Sequence, residues 1–367
     1  TTNGSVPSWA TLVTDPTLGT LTQTFASGQA STISLTANVL APVVTVTKEV
    51  SQSGSTNNTW DVNSTSQNYT RLDSAPATTL DFVGFDISTA SFTDAFSLVA
   101  QSVGPVGIDF NADGTKMFVL GNSSDAVYEY ALSTGFDVST ASYTQTFSIA
   151  AQDTAPRGIT FNPAGTKMFV TGQQNDSVYE YTLSTGFDVS TASYVDAFSV
   201  AAQDNSPTGL RFNSDGTKMF VCGQTGDDVN EYALTTGFDV STASFTDAFS
   251  IAAQETVPQG LDFSPDGTKM FIVGSNGDAV YRYILSTGFD VSTASFTDSF
   301  SVSAQDLIPS GLVFNTAGTK MFVTGAGGND VNEYSTPPTS VTLGTGSFAS
   351  ADVGKTIEAN SGAFVLT

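Results

Sequence analysis

The stretch Gly114-Thr115-Lys116-Met117-Phe118 decides the fold, because the same five residues return at intervals of 51 residues. Its methionine recurs at positions 117, 168, 219, 270 and 321, which together hold all 5 methionines of the chain. A second unit, Gly-Phe-Asp, keeps this spacing, with its glycine at positions 84, 135, 186, 237 and 288. Repetition at a fixed period is the signature of a repeat architecture. Copies without insertion or deletion predict structural units in equivalent environments.

Each copy is predicted to form four short strands, named A to D here. In the second copy, strand A covers residues 158–161, strand B 167–170, strand C 178–183 and strand D about 192–200. Hydrophobic residues alternate with a period of two, and the turn between strands A and B holds Asn, Pro, Asp and Gly. Four strands per repeat without a helical window are typical of one blade of a β-propeller.

The order of the strands favours a closed ring. The first strand D, residues 91–98, precedes every A-B-C set, and the last A-B-C set, residues 311–334, has no strand D after it. If the N-terminal strand D completes the last blade, nothing is left over and no sheet edge at the ring's joint stays open. The sequence therefore predicts an all-β, five-bladed propeller. A linear solenoid with capping repeats is the alternative.

The aspartate of Gly-Phe-Asp has two interpretations. An aspartate before a Val-Ser-Thr turn accepts hydrogen bonds from backbone N–H groups two residues on. Alternatively, it is a cation ligand repeated on every blade. The residues are Asp86, Asp137, Asp188, Asp239 and Asp290.

Acidic residues recur in the loops between strands D and A and between strands B and C, which we expect on one face of the ring. They are candidate ligand-binding residues, for a weak oxygen-ligand cation such as calcium or for a polar ligand such as a glycan. The other interpretation is solvated loop tips and a network that holds the turns. The candidates are Asp125, Asp153, Asp176, Asp204, Asp227, Asp228, Glu255, Asp278, Asp306 and Asp330.

Charge and composition exclude several functions. The net charge is −24 with only 11 Lys and Arg, so we expect no nucleic-acid partner and no attraction to an anionic membrane. Histidine is absent, which removes the usual general base and the commonest metal ligand. Cys222 is the only cysteine, so it forms neither an intrachain disulfide nor a thiolate zinc site. No run of about 20 apolar residues predicts membrane insertion.

The small differences between copies predict a protein without enzymatic activity. The middle of strand C varies in chemical character, as Glu180 and Arg282 show. An enzyme ordinarily breaks repeat symmetry once, with a unique acid and base in the channel, and no copy carries such a departure. We therefore expect no catalytic residues and no cofactor, apart from weak calcium binding.

Three segments are predicted. Residues 1–83 form an N-terminal β-rich arm or small domain, residues 84–337 the propeller, and residues 338–367 a C-terminal β segment. The repeats Asn111–Val119 and Gly135–Ser142 resemble propeller repeats of marine bacteriophage and marine bacterial surface proteins. The flanking stretches are similar to modules of marine phage virion and tail-appendage proteins; they are Pro42–Val50, Trp60–Asn63, Gly346–Phe348 and Val353–Glu358.

The resemblance implies a virion exterior structural protein, a tail or appendage component located on the virion surface. The flanks would bind other virion or surface proteins or organise an oligomer, and the propeller would attach to host glycans. Five weak, similar sites gain avidity together. The alternatives are a secreted or cell-surface bacterial lectin or matrix protein, a scaffold without a ligand, and a glycan-cleaving propeller enzyme. The last needs two carboxylates roughly 5–9.5 Å apart.

Overall fold

The computed structural model describes residues 84–101 and 104–337 in full, together with the backbone of five short flanking strands. The chain divides into two compact units, Gly84–Pro338 and a second that combines Thr1–Val83 with Thr339–Thr367. The predictions for the two flanks fall mostly outside the described residues. The described flanking strands are Leu21–Thr24, Val46–Ser51, Asn57–Asn58, Thr79–Asp81 and Ser340–Thr342.

The first unit contains five antiparallel sheets of four strands each. Strands A are Pro105–Phe110, Pro156–Phe161, Pro207–Phe212, Pro258–Phe263 and Pro309–Phe314. Strands B are Lys116–Gly121, Lys167–Gly172, Lys218–Gly223, Lys269–Gly274 and Lys320–Gly325. Strands C are Ala126–Leu132, Ser177–Leu183, Asp228–Leu234, Ala279–Leu285 and Asp330–Ser335. Strands D are Ser91–Ser97, Ala141–Ser148, Ala192–Ser199, Ala243–Ser250 and Ala294–Ser301.

The sheets close into a ring, as the strand order predicts. The fifth sheet pairs strand C, Asp330–Ser335, with the N-terminal strand D, Ser91–Ser97. Each strand A contacts the strand A of the next blade, and the fifth contacts the first. The five-bladed β-propeller is therefore confirmed, with strands A innermost and strands D outermost.

A short 3-10 turn precedes every strand D. Asp188 caps one such turn, Val189–Thr191, by accepting a hydrogen bond from the Ser190 amide at 3.1 Å. Asp86, Asp137 and Asp239 make the same bond, and Asp290 accepts from the Ser292 hydroxyl at 2.6 Å. The turn interpretation of the Gly-Phe-Asp aspartate is confirmed.

The hydrophobic core lies between neighbouring blades. Phe118 of blade one lies 4.4 Å from Phe161 of blade two, measured between ring centroids, and all five equivalent junctions hold such a pair. All five methionines are fully buried. Burying one such phenylalanine contributes about 1.5–3 kcal/mol, so this repeated pair is a main source of the ring's stability.

A polar bridge joins blades near the outer strands. Lys116 Nζ bonds Glu129 Oε1 at 2.8 Å and also the Phe187 carbonyl of the next blade at 2.6 Å. Glu129 Oε2 accepts from the Val189 amide of that blade at 3.2 Å. Phe187 has a φ of 56°, which is sparsely populated for a bulky residue and is held here by these contacts.

Blade four bridges its neighbour differently, because Arg282 replaces the glutamate. Its guanidinium donates to the Phe85 carbonyl at 3.1 Å and to Asp86 Oδ1 at 3.2 Å. It also forms an ion pair with Asp298 Oδ2 at 2.6 Å. Arg282 therefore holds the N-terminal segment that closes the ring.

Candidate functional site

The predicted loop face exists, because the D–A and B–C loops are hydrogen bonded to each other. In blade two, Asp153 accepts from the Ala155 amide of its own loop at 2.7 Å. Its second oxygen accepts from Asn175 of the B–C loop at 3.3 Å. The aspartate is thus the joint between the two loops.

The four candidate acids of the D–A loops are buried at these joints, with exposed fractions of 0–4%. Asp204 accepts from three backbone amides, those of Ser206, Thr225 and Gly226, at 2.6–3.0 Å. Carboxylates held this way support the loops, and a ligand at the loop tips would not reach them. Their geometry therefore lends no support to the ligand-binding prediction. These residues are Asp153, Asp204, Glu255 and Asp306.

The candidate acids of the B–C loops are half-buried and adopt left-handed backbone angles, with φ between 47° and 48°. Their carbonyls accept the amide at the end of strand D, as Asp176 does from Val200 at 2.8 Å. One carboxylate oxygen in three of them is buried without a hydrogen-bond partner. The four B–C loop acids are Asp125, Asp176, Asp227 and Asp278. The oxygen without a partner belongs to Asp176, Asp227 and Asp278.

Asp228 and Asp330 start strand C in blades three and five. Asp228 accepts from Asn230 at 2.7 Å, and Asp330 accepts from Asn332 at 2.8 Å. Burial raises the pKa of the Asp228 carboxyl above its ordinary value, and the neighbouring Asp204 charge adds to the shift. Within residues 84–101 and 104–337, no group of three or more His, Cys, Asp or Glu is placed to hold a metal. Calcium binding stays a prediction.

The central channel contains a charged cluster that the sequence analysis missed. Arg211 Nε bonds Asp262 Oδ1 at 2.9 Å, and Arg211 Nη2 lies 4.0 Å from Asp109 Oδ1. The guanidinium also donates to carbonyls of strands A in blades one, two and five. One buried side chain on blade three therefore contacts the other four blades. The expectation that no copy breaks the symmetry of the channel is wrong.

Both carboxylates of this cluster also accept a backbone amide of another blade. Burial raises the pKa of Asp109, against the opposing charge of Arg211. Asp109 Oδ2 accepts from the Phe161 amide at 2.9 Å, and Asp262 Oδ2 accepts from the Phe314 amide at 2.7 Å. The channel leaves a cavity of ≈ 10 Å³, which is room for about one water molecule. A larger ligand would meet the cluster only at a mouth of the channel.

The sequence did carry a signal for this cluster. The fifth residue of strand A reads Asp109, Thr160, Arg211, Asp262 and Val313 in the five copies. Apart from Arg157, every other position of strand A holds an uncharged side chain in all five copies. Comparison of strand A rather than strand C would have located it.

A second feature that the sequence analysis missed lies on the outer circumference. One aromatic residue on each strand D is 42–46% exposed, although the surrounding strand is polar. Each ring contacts the edge or face of a buried strand C tyrosine, with centroids 5.8–6.0 Å apart. We call these residues the rim aromatics; they are Phe92, Tyr143, Tyr194, Phe245 and Phe296.

A family model described as Lactonase, 7-bladed beta-propeller, matches residues 104–288, just over half of the 367 residues. The chain belongs to this lactonase family. The matched region runs from strand A of blade one to the end of strand C in blade four. This lactonase-family ring differs from the family description in having five four-stranded blades.

No curated protein matches the lactonase-family chain. A candidate 6-phosphogluconolactonase from Bacteroides fragilis NCTC 9343 is 14% identical, with a TM-score of 0.44 over 76% of this chain and 98% of that one. A luciferin-regenerating enzyme is 13% identical, with a TM-score of 0.43 over 70% and 97%. Another candidate 6-phosphogluconolactonase, from Bacteroides uniformis ATCC 8492, is 14% identical, with a TM-score of 0.39 over 60% of this chain. The lactonase-family chain spans 63% of that protein, less than two thirds of its length.

Membership of the lactonase family overturns one prediction. From the sequence we expected no enzymatic activity, whereas the family whose model matches residues 104–288 is described by an enzymatic name. That prediction rested on strand C and left out the fifth position of strand A, where Asp109, Arg211 and Asp262 differ between copies. In the described part of the chain, no helix is long and apolar enough to cross a membrane.

Proposed function

We propose that the chain is a surface-attachment protein whose propeller binds a glycan-bearing surface through several equivalent sites. The observation that carries this proposal is the repetition of one exposed surface five times around the ring, with matching loop and rim geometry. Sites that are weak alone gain about 10²–10⁴-fold in avidity when they engage together. A rigid closed ring fixes the spacing of the sites in advance, which lowers the entropy cost of simultaneous binding.

The proposed location is the exterior of a virion, in a tail or appendage, where the flanks bind other virion proteins and promote oligomer formation. This part of the proposal rests on the resemblance of the repeats and flanks to marine phage proteins. The net charge of −24 agrees with a surface in salt water, where ions screen self-repulsion. A bacterial cell surface or an extracellular matrix is the alternative location.

Binding of the labelled full chain to intact marine bacteria and to a glycan array tests the proposal. We expect saturable binding to at least one cell type or glycan, measured with calcium and with EDTA. Loss of binding in EDTA would give the loop acids a role. Absence of saturable binding by folded protein on both supports would contradict the attachment function. Labelling of virions with an antibody against this chain tests the proposed virion location. Virions that stay unlabelled would contradict that location.

Lactone hydrolysis is a second candidate, favoured by the family membership and by the channel cluster. Asp109 has the raised pKa that suits a general base. Its partner Arg211 lines the channel cavity, which has room for about one water. Asp109 would take a proton from that water as its oxygen attacks the lactone carbonyl. The ring C–O bond would then break, and the leaving alkoxide would take up the proton. Arg211 would hold Asp109 in place.

Proton release from δ-valerolactone and glucono-δ-lactone, followed in a pH-stat, tests this candidate. We expect the wild type to exceed spontaneous hydrolysis, and Asp109→Asn to lose at least about tenfold, since general-base catalysis contributes about 10²–10⁴-fold. Asp94→Asn, on the exposed strand D, is the matched control and should retain full activity. A wild-type rate equal to the spontaneous rate on both lactones would remove this candidate.

A further inference from the structure

We infer that the rim aromatics are five equivalent carbohydrate-stacking sites for neutral pyranose sugars. This inference rests on the proposed attachment function and moves its binding site from the loop acids to the outer circumference. The four D–A loop acids that we predicted as ligand-binding residues accept backbone amides and are 0–4% exposed, whereas the rim aromatics are 42–46% exposed.

The two aromatic residues of each strand D have different surroundings. In blade one, Phe147 packs inward against Tyr181 of blade two, with centroids 5.6 Å apart. Tyr143, on the same strand, stays 44% exposed. The inward residue thus supplies the packing between blades, and the outer ring retains a free surface of the kind on which a sugar stacks.

The orientation of the rim aromatics is fixed and repeated. Each is tilted by 66–75° to the strand C tyrosine that it contacts, in all five blades. A ring held by a buried partner loses little rotational freedom when a ligand stacks on it, which favours binding. Both phenylalanine and tyrosine occur at this position, so the shared property is the aromatic face rather than a hydroxyl.

A β-bulge in strand D sets the direction in which each rim aromatic points. Tyr181 pairs with Tyr194, but Glu180 pairs with Asp196, so Val195 is the extra residue of strand D in blade two. The other four blades have threonine here, and Thr144 shows its role by donating to the Glu129 carbonyl at 2.8 Å. Bulges of this kind re-aim a neighbouring side chain and occur next to binding sites.

The surroundings of each ring favour a sugar over an apolar partner. The flanking residues Ser142 and Thr144 are exposed, and each strand D is the outermost of its sheet, with one paired edge and one edge unpaired within the sheet. A pyranose offers an apolar C–H face to the ring and hydroxyls to such polar groups. Single rings separated by polar surface do not form the continuous apolar patch of a stable protein interface.

Charge selects the class of sugar. The chain has a net charge of −24, and exposed acids such as Asp94, Asp196 and Asp247 stand two residues after the rim aromatic. A uronate or sulfate sugar would be repelled, and a neutral hexose would not. The ligand class is therefore a neutral hexose polymer that reaches several rim sites at once.

The test compares the wild type with a five-serine variant of the full chain on laminarin and agarose, two neutral hexose polymers, and on alginate, an anionic one. We expect wild-type binding to a neutral polymer only, and a loss of about 10²-fold or more in the variant, since avidity disappears. The substitutions are Phe92→Ser, Tyr143→Ser, Tyr194→Ser, Phe245→Ser and Phe296→Ser. Leu307→Ser with Ile308→Ser is the control, because these loop residues are 66% and 50% exposed but lie away from the rim.

A second variant tests the site without removing aromatic packing. Phe245→Trp should keep binding, and its fluorescence, corrected for the wild-type signal of the 2 native tryptophans, should change over the concentration range in which laminarin binds. The rim sites would be contradicted if the folded five-serine variant bound like the wild type. They would also be contradicted if the tryptophan fluorescence did not change when polymer binds. Neither result would contradict the attachment function. Wild-type protein that binds no surface would overturn attachment itself. An oligomer that dissociates in the five-serine variant would make the rim a protein interface and overturn the inference.

Discussion

Cys222 occupies a place that threonine holds in two other blades. Its sulfur accepts from the Gly209 amide at 3.2 Å, as Thr171 Oγ1 accepts from Gly158 at 2.8 Å in blade two. Burial raises the pKa of the Cys222 thiol to about 11, so almost no thiolate is present at pH 8. The residue therefore serves packing, as the repeat alignment indicates.

We expect Cys222→Thr to change the free energy of unfolding by less than about 1.5 kcal/mol, because the threonine geometry already exists in this fold. We also expect folded wild-type protein to resist iodoacetamide at pH 8, with full alkylation after denaturation, measured by mass spectrometry. Rapid alkylation of the native protein would contradict the buried, hydrogen-bonded thiol.

Asp228 gives a pH-dependent prediction. Its pKa is raised in the folded state, chiefly by burial and then by Asp204, so its charged form is disfavoured by folding. The stability that this group contributes is present below its unfolded value of 3.8 and is lost as pH rises through the folded pKa. Asp228→Asn should therefore raise Tm at pH 7, by about 2–4 °C if the gain is about 1 kcal/mol, and the gain should vanish at pH 3.5.

Asp113 supplies the control with the opposite sign. Hydrogen bonds from Thr115 lower its pKa below the ordinary value, so its contribution is present at neutral pH and lost as pH falls through the folded pKa. Asp113→Asn should lower Tm at pH 7 or leave it unchanged. Calorimetry at both pH values measures the pair, and an equal rise of Tm in the two variants would refute the assignment.

At the level of elements, the joint between blades four and five tests how the ring closes. Arg282→Ala removes a charged group that bonds Phe85, Asp86 and Asp298. We expect a loss of about 1.5–3 kcal/mol in the free energy of unfolding, the range for hydrogen bonds to charged groups. Denaturant titration measures it, and proteolysis within residues 84–97 should accelerate.

Arg282→Glu is the informative partner variant, because glutamate holds this place in the other four blades. There it bonds a strand B lysine, as Glu180 bonds Lys167 at 2.6 Å. Lys269 occupies the equivalent strand B position in blade four and could form the same bond with a glutamate at position 282. We expect Arg282→Glu to be milder than Arg282→Ala, and a larger loss would contradict the equivalence of the bridges.

The strands were predictable because their residues alternate with a period of two and Gly or Asp marks the turns. The bridge between blades was not, since Lys116, Glu129 and Phe187 are distant in sequence and meet only after the ring closes. The rim aromatics were missed for a related reason. Tyr143 and Phe147 look alike in sequence, and only the bulge and the neighbouring blade decide which is exposed.

At the scale of the whole molecule, the N-terminal strand D determines whether the ring is complete. A chain that starts at Gly84 retains the closing strand Ser91–Ser97, whereas a chain that starts at Gly104 lacks it and exposes the edge of strand C in blade five. We expect the first to unfold cooperatively and the second to aggregate or to pair through the open edge. Size-exclusion chromatography and thermal melts of both compare them. Equal behaviour would contradict closure by this strand.

Blade number and closure followed from the sequence because both depend on repeat counting. The channel cluster did not, because it depends on Arg211 meeting Asp109 and Asp262 of other blades across the axis. The two proposed functions depend on these two kinds of feature. A surface repeated five times favours attachment, and a single asymmetric cluster favours one reactive centre.

The number of sugar sites per chain separates these two possibilities most directly. Isothermal titration of the full chain with a short neutral oligosaccharide, laminaritriose or agarotriose, measures that number from the saturation point at known protein concentration. We expect about five equivalent sites, and one fewer for each rim aromatic that is replaced by serine. A single site that survives the five-serine variant and disappears in Asp109→Asn would contradict it.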